Sequence, residues 1–431
     1  MRAVVASAWA LLLGMGLLMV GNGVQGTLLG VRGGLEGFST LEMSIVMSAY
    51  FAGFLGGSRA TPELIRRVGH VRVFAALGSL ISAVLILFPV LTDPIAWTLG
   101  RAIIGFCFSG VYVTAESWLN NATTKENRGQ ALSLYMIVQM TGVVAAQAII
   151  GFGDPSGFEL FIIPSVLVSL AFAPILLSIS PTPAFDSTKP MTLRQLTRIS
   201  PLGCMGMALL GGVFSAMFGM SAVYGTQAGM SVQQVSLFVA TLYIGAVVLQ
   251  YPIGYLSDRM DRRVLILYIA ALGGGAALFA FVLPFSFPAI LVASFFIGGA
   301  ANPLYALLIA YTNDFIEYED MAAASGGLIF INGLGAIFGP LITGWVMGTV
   351  GPQGFFLFLT VLLLGLAAYA AYRMTRRPSS YGEEGYEATS YAPLSPASSP
   401  VAFEAAQEYY FDAAEEGGEE TKDGETPDRA A

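Results

Sequence analysis

Charge is what this sequence has least of. Only 11% of its 431 residues are Asp, Glu, Lys or Arg, while 55% are apolar; a soluble globular chain carries roughly 25% charged residues. A water-soluble core cannot absorb that much apolar surface, but a bilayer can. Histidine is scarcer still: His70 stands alone, which excludes any chemistry that needs two imidazoles. The two cysteines, Cys107 and Cys204, lie in separate apolar runs with no CxxC pair and no Cys/His cluster. Each reads as a small buried hydrophobe, and a metal or redox site has nothing to be built from. No cofactor is expected. A G-x-x-x-x-G-K-[ST] loop is missing, so ATP has no cradle of that kind. Acids, histidines and cysteines do not gather at one depth, as an enzyme would want, so no enzymatic activity is expected.

What is present in quantity is glycine, 51 residues, set into apolar runs. Helices in lipid have no water-driven force holding them together, so small residues at their contacts let backbones approach closely. Runs long enough to cross about 30 Å of hydrocarbon fall near 4–29, 41–58, 71–91, 95–118, 130–152 and 159–179. They resume near 203–225, 233–255, 264–283, 288–312, 323–348 and 354–373. The first run is too long and too glycine-interrupted for the apolar core of a signal peptide, and is expected to remain as a span.

The expected architecture is an all-α polytopic membrane protein of twelve helices in two pseudo-symmetric halves. Residues 1–180 form the first half, 181–200 a polar, basic connector, and 201–377 the second half. Residues 378–431 hold thirteen acids against two bases and are rich in Ser, Pro and Gly, which predicts a disordered acidic tail. The net charge of −8 belongs to that tail, because residues 1–377 hold fifteen acids and eighteen bases.

Lys and Arg set the orientation. With the amino terminus cytoplasmic, eighteen of the twenty basic residues fall inside; Arg32 alone lies in an outer loop and Arg101 lies within a span. Both termini are therefore expected to be cytoplasmic, with the lipid bilayer and a small-molecule substrate as partners. The bases are spread along one membrane face, so nucleic acid is not expected, and no pattern specifies an oligomer.

The loops after spans two and eight look alike. Leu64-Ile65-Arg66-Arg67-Val68-Gly69-His70-Val71-Arg72 aligns with Gly254-Tyr255-Leu256-Ser257-Asp258-Arg259-Met260-Asp261-Arg262-Arg263 at an offset of 192 residues. Repeated halves are a common transporter plan, with the substrate site at their interface. The second loop, G-x-x-x-D-R-x-x-R-R, resembles the loop motif of the major facilitator superfamily. The first departs from it, with Pro62 in the glycine place and Arg66 in the aspartate place. Arg101 with Gly105 resembles a second superfamily motif. Ala115-Glu116-Ser117-Trp118-Leu119-Asn120, Asn127-Arg128-Gly129, Tyr135-Met136, Gln250-Tyr251-Pro252-Ile253-Gly254 and Asn302-Pro303-Leu304-Tyr305 together resemble the YcaD-type branch over residues 1 to about 377. The resemblance implies an alternating-access fold in a bacterial inner membrane, and a similar pattern in riboflavin importers of the RfnT type implies riboflavin as a substrate.

Charges within a bilayer are costly and usually functional. Arg101 and Glu116 share span four but lie about 22 Å apart along it, too far to pair. Arg101 would attract an anionic or carbonyl-bearing solute, or would pair with polar groups of neighbouring helices. Glu116 would couple protons or, as its depth favours, meet Arg67, Arg72 or Arg128 as a latch on the basic side. Asp258, Arg259, Arg262 and Arg263 would form the matching gate of the second half, with plain positive-inside anchoring as the alternative. Near mid-span, Asn22, Gln25, Tyr50, Gln139, Tyr243, Asn302, Tyr305 and Asn332 are candidate substrate contacts. Buried amides need partners, so helix-to-helix bonding is the competing role. Amides with tyrosines suit a planar, neutral solute.

A secondary or facilitative transporter is the expected function. Span five reads Thr141-Gly142-Val143-Val144-Ala145-Ala146-Gln147, without the Gly-Pro motif of the superfamily's antiporter branches, which favours uptake over drug or metabolite efflux. A non-transporting receptor on the same fold is the alternative from another class.

Overall fold

Ser39 and Ser231 start two long helices in the same way. Each serine hydroxyl accepts the amide of the residue three positions on, Glu42 or Gln234, whose side chain returns to the serine amide. The resulting capping box satisfies two otherwise orphaned helix donors. The two serines stand 192 positions apart, the same offset as the loops. The internal repeat therefore extends to how the helices begin.

The computed structural model describes residues 2–121, 128–177, 191–283, 286–316, 318–376 and the single positions 391 and 399. Among them there is no strand. The helices are α1 (Arg2–Leu35), α2 (Thr40–Val68), α3 (His70–Leu87), α4 (Pro94–Asn121), α5 (Arg128–Phe152) and α6 (Glu159–Leu177). A short α7 (Leu193–Ile199) closes the expected connector, whose earlier part lies outside the described residues. Then follow α8 (Pro201–Ser215), α9 (Ser221–Gln227), α10 (Val232–Ser257), α11 (Arg262–Val282), α12 (Phe287–Asn313), α13 (Tyr318–Val350) and α14 (Gly354–Arg376). Helices α8 and α9 make one membrane pass, joined by a π-helical turn at Ala216–Met220. Among the described residues, ten passes are long and apolar enough to cross a membrane. The other two are α6, whose apolar part is shorter, and α2, which carries Arg59, Glu63, Arg66 and Arg67 in its last turns. Large apolar side chains such as Phe152, Trp345 and Ile95 stand exposed on the outside, as lipid allows and water does not.

The passes form two six-helix bundles. In the first, α1 packs on α5 and α6, α2 on α4, and α3 on α4 and α6; in the second, α8 packs on α13, α10 on α12, and α11 on α12 and α14. The bundles meet through α1 with α9, α2 with α13 and α5 with α10.

Glycine sets the closest approaches, and it does so twice. A Cβ on Gly53 would lie 1.9 Å from the Ala102 carbonyl oxygen, and one on Gly105 would lie 1.9 Å from that of Tyr50. Gly245 against Phe295 and Gly298 against Leu242 repeat the arrangement, at 2.0 and 1.9 Å, between α10 and α12. Any side chain here forces two backbones apart. Gly105→Val should therefore lower stability by more than the roughly 1–3 kcal/mol of ordinary overpacking, because backbone cannot repack as a side chain does. A thermal melt in detergent reads the loss; an unchanged melting temperature would refute the close approach.

Candidate functional site

The interface between the bundles encloses a cavity of about 150 Å³, lined from both halves. From the first half come Asn22 of α1, Tyr50, Phe51 and Phe54 of α2, Tyr112 of α4 and Gln139 of α5; from the second come Tyr243 of α10, Asn302 of α12 and Asn332 of α13. The π turn contributes Met217 and Phe218. An extra residue in one turn re-aims the side chains around it, and such bulges gather at functional sites. Here Phe218 comes within 5.5 Å of the Tyr50 ring and 6.1 Å of the Phe51 ring, centroid to centroid, so aromatic faces from the two halves meet across the cavity.

Six of the residues expected from the sequence line this cavity: Asn22, Tyr50, Gln139, Tyr243, Asn302 and Asn332. Three others do not, and each has a reason. Gln25 stands behind the wall, donating to Asn22 Oδ1 at 3.1 Å. Arg101 stands behind Gln25, donating from Nη1 to its Oε1 at 2.8 Å while its guanidinium covers the Tyr50 ring at 4.5 Å. Tyr305 is fully buried, edge-on to Phe214, which does reach the cavity. Two wall amides also bind protein: Asn332 donates to the Met207 carbonyl at 3.0 Å, and Asn302 to Gln250 Oε1 at 3.0 Å. Each thus serves as a helix tie and a lining group. Tyr112 was missed, although it lies eleven residues after Arg101 and four before Glu116, which puts all three on one face of α4.

On the side away from the basic loops the bundles are joined by hydrogen bonds. Gln227 donates to Thr40 Oγ1 at 2.6 Å, Ser48 to the Ile337 carbonyl at 2.5 Å, and Ser236 to the Gln147 carbonyl. Arg32, the basic residue of that face, pairs with Glu36 at 2.7 Å and donates to the Pro155 carbonyl at 3.0 Å, tying α1 to the turn before α6. The Asp154 carboxyl in that turn is held below the usual carboxylate range, chiefly by the Ser156 hydroxyl.

On the basic face, Arg59 lies 4.0 Å from the Phe330 ring centroid, from one bundle to the other. The expected latch between Glu116 and Arg67 or Arg72 is absent. Arg67 and Arg66 both bind Glu63, at 2.7 and 2.8 Å. Those hydrogen bonds, Arg67's first, hold the Glu63 carboxyl below its ordinary range, so it stays ionised and keeps both arginines on α2. Arg72 is exposed and forms no ion pair among the described residues. The Arg128 side chain lies outside the described residues. Glu116 is buried and accepts from Tyr135 Oη at 3.3 Å and from the amide of Ser399, a tail residue, at 2.7 Å.

In the second half, the four expected gate residues divide. Arg262, nearly fully buried, reaches Asp258 at 3.6 Å, the Ala310 carbonyl at 3.3 Å and the buried Asp314 carboxylate. It thereby ties the α10–α11 turn to the end of α12. Arg263 pairs with Asp261 at 2.8 Å, and Arg259 lies over the Tyr255 ring at 3.5 Å. Asp314 was missed by the sequence reading because it lies 52 positions from Arg262 and outside the motif.

Two six-helix bundles around a buried cavity, with glycine-paired helices repeated in each, define a membrane transporter. The chain belongs to the Major Facilitator Superfamily, whose profile matches residues 11–232 and 202–407. It is similar to the uncharacterized MFS-type transporter YcaD of Salmonella arizonae, 26% identical over 357 residues, covering 81% of this chain and 91% of that protein. It is 27% identical over 346 residues to the YcaD of Escherichia coli, covering 78% and 88%. Among solved structures, a mutant of the nucleoside transporter NupG aligns with a TM-score of 0.73 at 17% identity, over 85% of this chain and 99% of that one. An inward-facing bacterial homolog of the human lysosomal transporter Spinster aligns with a TM-score of 0.65 at 15% identity, over 96% and 97%.

Proposed function

We propose that the protein carries a small, neutral, planar organic solute across a bacterial inner membrane by alternating access, in the direction of uptake. The basic face would be cytoplasmic, with both termini on that side, since Lys and Arg are retained there. The observation that carries the substrate class is the cavity wall: Tyr50, Phe51, Phe54 and Phe218 offer ring faces, while Asn22, Gln139 and Asn302 offer hydrogen bonds, with no charged group among the lining residues. Riboflavin, the finer expectation, shares the planar, hydrogen-bonding chemistry of that wall. One structural neighbour is a nucleoside transporter, so nucleosides and free bases belong beside flavins among the solutes to be tested. The missing Gly-Pro motif in α5 supports uptake over efflux.

The test is a thermal-shift screen of the purified protein against bases, nucleosides and flavins, followed by uptake of the best binder into proteoliposomes. Tyr50→Ala and Asn22→Ala should each weaken binding by about tenfold, the equivalent of ~1.4 kcal/mol. Export of the binder, or binding without flux, would replace uptake with efflux or with a receptor role respectively.

A further inference from the structure

The lining residues of the cavity carry no charge, yet a buried charge behind the wall decides which way one of its amides faces. A guanidinium can only donate, so Gln25 must turn its Oε1 to Arg101, at 2.8 Å. The Gln25 nitrogen is thereby aimed at Asn22 and donates to its Oδ1 at 3.1 Å. With that oxygen engaged, Asn22 is left with the hydrogens of its amide nitrogen, beside the Tyr50 and Tyr112 hydroxyls of the wall. A hydroxyl that accepts from Asn22 still has its own hydrogen to give. Tyr112 gives its hydrogen to the Met19 sulfur at 3.1 Å, which leaves that of Tyr50 for the cavity. Asn22 and Tyr50 both act there as donors.

The second half is set the opposite way. Asn332 donates from Nδ2 to the Met207 carbonyl at 3.0 Å, and a backbone carbonyl can only accept. The end of Asn332 left over is therefore Oδ1. Asn302 donates from Nδ2 to Gln250 Oε1 at 3.0 Å and is left with the same end. Taking the cavity as the solute site, as argued above, we propose that these held amides select the solute by the direction of its hydrogen bonds. The solute is a flat heterocycle with a carbonyl or ring-nitrogen acceptor on the edge facing Asn22 and Tyr50. On the edge facing Asn302 and Asn332 it carries an N–H or O–H donor. Ring lactams and ureides meet both conditions; their N-methylated forms keep the ring and lose the second.

Selection of this kind is steep. A site built to bond an N–H rejects the analogue that lacks it far more strongly than an apolar pocket rejects an extra methylene, because its own polar group is left unpaired. An amide suits the task only while it is held one way round, since the opposite orientation offers the opposite group. Gln25 is what holds Asn22. A side chain in its place that could only accept would still bind Arg101, but it would take a hydrogen from Asn22 and turn that amide round. The pole of the first half would then change from donor to acceptor, with no change in the lining residues themselves.

Equilibrium binding to the purified full-length protein in detergent tests the polarity without any need for flux. The probes are uracil and the benzo-fused lactam carbostyril, each against its fully N-methylated form, with indole as a donor that lacks an acceptor. At least one of the two lactams should bind, and at least about tenfold more tightly than its N-methylated form or indole. Asn332→Leu should narrow the gap between lactam and N-methylated form several-fold. Gln25→Glu should weaken the lactam at least about tenfold and leave indole no weaker, with an undiminished melting temperature because Arg101 keeps a partner. Equal binding of lactam and N-methylated form, or a lactam indifferent to Gln25→Glu, would overturn the polarity while a flat solute and its transport stand. Failure of both lactams while a nucleoside or flavin binds would do the same. If no base, nucleoside or flavin binds either, the cavity loses its role as the site for a flat solute, and the polarity falls with it.

Discussion

Arg101→Met should abolish most transport, lowering initial uptake at least about tenfold, while leaving the fold as stable as before or more so. Arg101 is fully buried, and no carboxylate among the described residues pairs with it. Its compensation is partial: one hydrogen bond to Gln25, a 3.5 Å contact to the Met47 sulfur, and the Tyr50 ring face, with Nε left without a partner. A buried ring-face contact contributes about 2 kcal/mol, whereas desolvating an ion costs several kcal/mol. An apolar isostere removes the cost together with the contact, so the melting temperature should hold or rise. What is lost is position. From behind the wall, Arg101 fixes Tyr50 directly and Asn22 through Gln25. Arg101→Lys should fail as well, because a single ammonium cannot both lie flat on the ring and reach Gln25 with a planar fork. Uptake and thermal melts measured on the same preparations decide the matter. A large fall in melting temperature would make the residue structural, and undiminished uptake would remove it from the site.

Arg262→Ala should have the opposite balance, with stability as the main casualty. Removing the guanidinium leaves Asp314 buried without its cation, a change worth about 3–5 kcal/mol when one partner of a buried pair is deleted. Both side chains are only 2% exposed. The double replacement Arg262→Met with Asp314→Leu should recover most of that stability, since it removes both desolvated charges together. Thermal melts of the single and double variants form the test; a double variant as unstable as the single one would show that Arg262 acts through other partners.

The twelve passes were legible because span length in a bilayer is fixed by its thickness, and apolar runs of that length have no other use. The repeat was legible too, from the loops at an offset of 192, and the capping boxes at Ser39 and Ser231 were a second copy of that signal. The cavity was legible in part. Polar and aromatic residues near mid-span are few, so Asn22, Tyr50 and Gln139 stood out. Depth, however, does not give azimuth, and Gln25, Arg101 and Tyr305 have the right depth with their polar groups one layer behind the wall. Phe218 could not be placed at all, because its direction depends on the π turn, which breaks the 3.6-residue period that a sequence reading assumes.

The pairing of charges was least legible. Arg67 could have met Glu116, but Glu63 lies one helical turn away on the same helix and binds it first. The tail's composition predicted a solvated, acidic extension, and composition cannot register that two residues, Tyr391 and Ser399, meet a glycine niche and a buried carboxylate.

The amino-acid sequence by itself determined the number of passes, their grouping into two related halves and the face that collects the basic residues, because each follows from how long and how apolar a segment is and where its charges lie. The tertiary structure decided which side chains face the cavity, which arginine meets which acid and where Tyr391 and Ser399 rest. Those depend on helix rotation and on contacts between segments far apart in the chain, and nothing local encodes either.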